Sequence, residues 1–222
     1  MILAIHTALP QMSLALIENQ KLIDQDFYSG STARAEDLLV WIQALLEKNL
    51  KSQKDIRALG LCYGPGAFTG LRLAAVTAKT LALAWNIPLY GFGLFEGIAI
   101  QLQNQHLIGK TQVSFHACRD QANNAVIEIA KNIPPAITPT LAVDEKTFWA
   151  NLPQANFYLG NYPENLNIKN LDLIPDAAGI GLLAEQALQQ NRPSQLETLQ
   201  VLYSHEPNVR LSDKPELLRL RQ

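Results

Sequence analysis

CYGPGAFTGLRLAAVTAKTLA, residues 62–82, decides the fold. The residues that lead into it, IRALGLCYG (56–64), read as a buried strand by length and apolar pattern. From Leu71 to Trp85 the only charges are Arg72 and Lys79, and apolar residues otherwise lie nearly all round. That pattern predicts a helix buried on more than one side. Gly64, Gly66, Thr69 and Gly70 occupy the link between the two. Glycines there permit positive φ and close approach of a ligand or a backbone. A helix N-terminus offers free N–H groups to an anion, so phosphate binding is one reading of the loop. The specific phosphate motifs are not met. Leu71, rather than Lys and Ser/Thr, follows Gly70, and the last gap is one residue too long for the dinucleotide fingerprint. The reading the spacing favours is a tight strand-to-helix connection packed under a sheet.

Upstream, Met1–His6, Met12–Ile17 and Leu22–Tyr28 are short runs rich in β-formers, with TALPQ and ENQK as turns between them. Strands this close in sequence form an antiparallel meander, because a parallel crossover needs a dozen residues or more. A helix is expected over 34–50, with Ser31 or Thr32 as cap and Glu36 and Asp37 in the first turn. Leu38, Ile42, Leu45 and Leu46 follow helical spacing, and Trp41 and Leu50 widen that face. Downstream, IPLYGFG (87–93) reads as a strand and LFEGIAIQLQ (94–103) as a helix. TQVSFHAC (111–118) and NAVIEIAKN (124–132) read as a hairpin, ANFYLG (155–160) as a strand and Asp176–Gln190 as a helix. Residues 192–222 carry no assignable pattern and read as an irregular end. A meander feeding βαβ units makes mixed sheets with helices packed on them. The length suits one large domain or two small lobes, which would divide as 1–103 and 104–222.

The chain has 222 residues, 48% hydrophobic and 17% charged, with a net charge of −2. This is core-forming matter without the basic excess of a protein that grips nucleic acid alone. Cys62 and Cys118 suit a reducing compartment. The N-terminal apolar run lacks a basic segment before it, and no uncharged run reaches the ~18 residues of a membrane span. A cytoplasmic protein without membrane association is expected. His6, His106, His116 and His205 are too scattered for a metal pair, and His116-x-Cys118 lacks a second ligand pair. No metal or cofactor is expected. Cys62 reads as a packed small hydrophobe, and Trp41 as either a core residue or an interface anchor. Arg34, Arg72 and Lys79 read as solvated helix charges or as contacts to nucleic acid or an acidic partner.

GPGAFTGLR (64–72) after a buried strand, together with ILAIHTAL (2–9), resembles the TsaB (YeaZ) family of the actin/sugar-kinase/Hsp70 superfamily. The resemblance is close to about residue 100 and looser over 110–222. It implies an actin-like fold of two lobes, the second reduced. It also implies a non-catalytic dimerisation or scaffold subunit that supports TsaD in making N6-threonylcarbamoyladenosine at tRNA adenosine 37. A TsaD-like subunit and a TsaE-like ATPase are the implied partners, tRNA is touched only indirectly, and a homodimer is a further state. Several departures stand out. Ala67 replaces the loop's family serine, and His6 and Ala8 stand where the family opens with aspartate and serine. His116 aligns with a second aspartate, with Cys118 or Arg119 at the following arginine. A neutral imidazole does not replace a hard oxygen ligand for Mg²⁺, which weighs against nucleotide hydrolysis. The alternatives are a small ATP-dependent kinase of the same superfamily and a self-associating scaffold unrelated to tRNA. The two long helices are expected to need a second cover, with Leu38, Trp41, Leu45, Val76 and Leu83 as contacts and Arg72 and Lys79 at the rim.

Overall fold

The computed structural model describes residues 1–28, 35–118, 120–131, 133–152, 154–162, 168 and 170–203. Ser31, Thr32, Arg34, Arg119, His205 and the last part of the tail lie outside these residues. The first sheet contains β1 (Ile2–His6), β2 (Met12–Glu18), β3 (Lys21–Tyr28), β4 (Ala58–Cys62) and β5 (Leu89–Phe92). Their order is β3-β2-β1-β4-β5. β1–β2 and β2–β3 are antiparallel and β1–β4 and β4–β5 parallel, as the meander and the βαβ spacing predict. The β2–β3 turn puts Asn19 and Gln20 at positive φ, the two-residue hairpin geometry.

One face of this sheet carries α1 (Ala35–Lys48) and α2 (Phe68–Trp85). There Leu3, Ile5, Leu59 and Leu61 meet Leu38, Ile42 and Leu45 of α1 and Ala74 and Ala78 of α2. α2 starts at Phe68, three residues before the expected Leu71, so Gly70 lies inside its first turn. The other face is covered by α3 (Leu94–Asn104) and α5 (Ala177–Gln189). α5 comes from the far part of the chain and packs across β1, β2 and β4. Its Glu185 accepts bonds from the Asn19 N–H at 2.9 Å and from the Gln20 N–H, tying the first hairpin to the helix.

The second sheet has the order β8-β7-β6-β9, from β6 (Gly109–Cys118), β7 (Gln121–Ala130), β8 (Ile133–Asp144) and β9 (Phe157–Gly160). Val113, Phe115, Ala125 and Ile127 join the cluster built on α3 and α5, so the two sheets sandwich these helices. The fold is therefore the expected one of mixed sheets with helices packed on them. β8 and the short α4 (Glu145–Ala150) have no counterpart in the sequence-based assignment. Among the described residues no helix is long and apolar enough to cross a membrane.

Candidate functional site

The glycine loop joins β4 to α2, and its shape follows from its neighbours. Gly64 has φ +119°, a conformation that favours glycine. Gly66 and Gly70 are required for a different reason. A Cβ on Gly66 would collide with the backbone of Ala8, and one on Gly70 with the carbonyl oxygen of Thr7. The Ala67 N–H donates to the Ala8 carbonyl at 2.9 Å, and the Thr7 hydroxyl donates to the Gly70 carbonyl at 2.8 Å. Gly66 and Gly70 thus close on the chain's own β1–β2 turn, while Gly64 faces Leu202 and Leu71.

His6 ends β1 with 1% exposure, and neither ring nitrogen has a hydrogen-bond partner. Burial pushes its pKa down to about 4, so the ring is neutral at physiological pH. Cys62 is likewise fully buried, which pushes its thiol up to about 12 and bears out the reading of a packed small side chain. His116 is exposed and points its Nδ1 at Glu145 Oε1, 2.8 Å away. It lines a cleft of about 400 Å³ between the two sheets, with Leu9, Pro10, Phe115 and Leu173 as apolar walls and Gln11 and Asn161 as polar ones. The described residues hold no cluster of three or more metal-ligating side chains.

The helix residues expected at an interface differ widely in exposure. Leu38 and Leu45 are 3% and 2% exposed and belong to the core beneath α1, which removes them from any contact surface. Trp41 is half-buried, and its indole N–H donates to Asp26 at 2.8 Å beside the Tyr28 ring. Val76 and Leu83 are 66% and 73% exposed. At about 100° per residue, Arg72, Val76, Lys79 and Leu83 fall within roughly 60° of one another on the outer face of α2. On α1, Leu39 and Val40 are exposed as well. Between the helices runs a groove of about 640 Å³ walled by Ile42, Leu46, Leu81 and Trp85.

Arg72 is also held by a contact the sequence does not announce. Its guanidinium lies 4.1 Å from the centre of the Phe68 ring, and its Nε donates to the Tyr203 hydroxyl at 3.0 Å. Tyr203 stacks on Phe68 at 4.7 Å and bridges to Gly66. Tyr203 ends a segment without helix or strand, so neither periodicity nor a motif marks it.

A family model described as TsaD, tRNA N6-adenosine threonylcarbamoyltransferase, matches residues 29–142. The chain is 23% identical over 202 residues to the tRNA threonylcarbamoyladenosine biosynthesis protein TsaB of Bacillus subtilis, covering 89% of this chain and 86% of that protein. It is 36% identical over 90 residues to TsaB of Escherichia coli, covering 40% of this chain and 38% of that one. Among solved structures, YeaZ from Pseudomonas aeruginosa superposes with a TM-score of 0.68 at 19% identity, over 91% of this chain and 98% of that one. That likeness shows the shared fold.

Proposed function

Given that the chain belongs to the TsaD family of tRNA N6-adenosine threonylcarbamoyltransferase, on its TsaB branch, we propose that it is a non-catalytic subunit of the modification complex. It docks on a TsaD-like subunit and supports transfer of a threonylcarbamoyl group to tRNA adenosine 37. The observation that carries this reading is the outer face of α2, where Val76 and Leu83 are exposed on a folded, well-packed helix. Large side chains left in water on one stripe suit burial by a second protein. Arg72 and Lys79 share that stripe and supply its polar rim. At the other end of α2, a closed glycine loop beside a neutral His6 suits support rather than phosphate chemistry. A homodimer through the same stripe, and a TsaE-like ATPase in the larger assembly, are part of this proposal.

The test is reconstitution. The purified chain is expected to co-purify with a TsaD-like subunit and to raise formation of threonylcarbamoyladenosine in a tRNA transcript. A folded chain that does neither overturns the reading.

A further inference from the structure

One end of the first sheet is basic in a chain that is acidic overall. Residues 48–57 hold Lys48, Lys51, Lys54 and Arg57 against Asp55 alone, a local +3 (four minus one) where the whole chain carries −2. The fold gathers these charges where β1 and β4 begin. The Arg57 N–H donates to the Met1 carbonyl at 2.9 Å, and Ile2 pairs with Ala58. Lys51 and Lys54 border the same groove, and Lys51 and Arg57 are both within electrostatic reach of the Met1 amine. Lys48 is committed to Asp24 at 2.8 Å. Lys51, Lys54 and Arg57 make no ion pair among the described residues. The nearby acids keep their charge but hydrogen-bond to neutral groups, Asp55 to the Ser52 N–H at 2.8 Å and Glu47 to the Gln43 amide at 2.7 Å. The three cations outnumber the acids at this pole, with Asp55 offsetting the charge beside Lys51, so a net repulsion among them is left uncancelled within the fold. A polyanion would relieve that repulsion.

We propose that Lys51, Lys54 and Arg57 contact the phosphate backbone of RNA, namely the tRNA on which the assembled complex acts. This rests on the function proposed above. It makes direct a contact that the family resemblance implies to be indirect. RNA is favoured over an acidic protein by the position of the cations. Lys54 and Arg57 are exposed beyond the end of α1, outside the apolar stripe on α2 where a protein partner would centre. Exposed point charges on flexible stems neutralise phosphates without reading sequence, which suits a contact that orients tRNA rather than selects it.

The experiment measures binding of an unmodified tRNA transcript to the complex of this chain with its TsaD-like partner, across salt concentrations. The variant is Lys51→Glu with Lys54→Glu and Arg57→Glu. Losing three phosphate contacts is expected to weaken binding about tenfold or more at low salt and to flatten the log–log salt slope by about 2–3. Affinity for the partner protein is expected to stay at the wild-type value. Unchanged tRNA affinity and slope in an intact complex overturn the proposal. Loss of the partner protein instead of tRNA also overturns it and assigns the patch to an acidic protein surface. A wild-type chain that forms no complex overturns the function proposed above. Titration of the free chain with the same transcript then decides the phosphate site by itself, and equal wild-type and variant binding there overturns it.

Discussion

Burial without a partner governs His6. Its pKa is pushed down to about 4 by desolvation, whereas an unfolded histidine titrates near 6.5. The unfolded chain therefore takes up the proton first, and the stabilisation is fully present above pH ~6.5 and is lost as pH falls toward 4. Over that interval the loss amounts to about 3 kcal/mol. Subtracting the urea stability of a His6→Gln protein, pH by pH, isolates the effect from buried carboxylates such as Asp176, whose pKa burial raises. The difference curve is expected to slope between pH 6.5 and 4; a flat one shows that His6 titrates normally. Gly70 is the second decisive residue. The sequence places it at a loop-to-helix junction where positive φ or close packing is expected. The structure selects close packing, because any Cβ would meet the rigid carbonyl of Thr7. Gly70→Val is expected to cost ~1–3 kcal/mol through overpacking, read as a lower urea midpoint. An unchanged midpoint would show that β1 yields. That His6 lies deep in the core is not legible from its neighbours in sequence, since a strand end is as often exposed as covered.

The sequence of α2 reads as apolar nearly all round, and the structure explains how that composition divides. Ala74, Ala78 and Ala82 are buried and let the helix lie close on the sheet, while the larger Val76 and Leu83 face outward. Leu71 is buried with the alanines and Arg72 and Lys79 share the outer face with Val76 and Leu83, so large apolar side chains lie on both faces and hydrophobicity alone does not show which side is free. On α1 the heptad-spaced Leu38 and Leu45 belong to the core. The test surface is therefore Val76→Asp with Leu83→Asp. Both positions are open to water, so circular dichroism and melting temperature should hold. Binding to a TsaD-like subunit is expected to fall by ~2 kcal/mol or more. Wild-type affinity in the folded double variant would place the interface elsewhere. The strands show the opposite limit. β1, β2, β4 and β5 were legible because each is a short apolar run between turn residues. β8 was not, because Pro134, Pro135 and Pro139 interrupt it. It tolerates them as an edge strand paired only to β7, where a missing N–H can face away from the ladder.

At the scale of the molecule, the far part of the chain returns to the first sheet. The lobe boundary expected at 103/104 is a division of the sequence, and α5 and residues 192–203, from beyond it, both lie on the first sheet. This is the least legible feature, because contacts spanning a hundred residues leave no local pattern. Residues 192–203 run past β5, the edge strand. The Ser194 hydroxyl accepts from the Leu89 N–H at 3.1 Å, the Gln195 N–H donates to the Leu89 carbonyl at 2.8 Å, and the Gln195 side chain accepts from the Gly91 N–H at 2.7 Å. Edge groups that would otherwise invite another strand are thereby occupied. Leu199, 7% exposed, sits over Gly91, where any side chain would strike it. The Leu202 N–H then donates to the Tyr63 carbonyl at 2.8 Å, and Tyr203 closes on Phe68 and Arg72. The segment thus links the open edge of the sheet to the first turn of α2, the helix proposed as the docking face. Two substitutions separate its anchoring from its alignment. Leu199→Ala empties a core position and is expected to cost ~2–4 kcal/mol of stability. Tyr203→Phe keeps the ring stack but removes the acceptor for Arg72, at a cost of about 0.5–1.5 kcal/mol. With the strap loosened, amide exchange at Leu89 and Gly91 is expected to speed up in Leu199→Ala before the central strands β1 and β4 respond, since the strap alone covers those two N–H groups. If β5 exchanges no faster than β1 in that variant, the edge is guarded by something other than the strap.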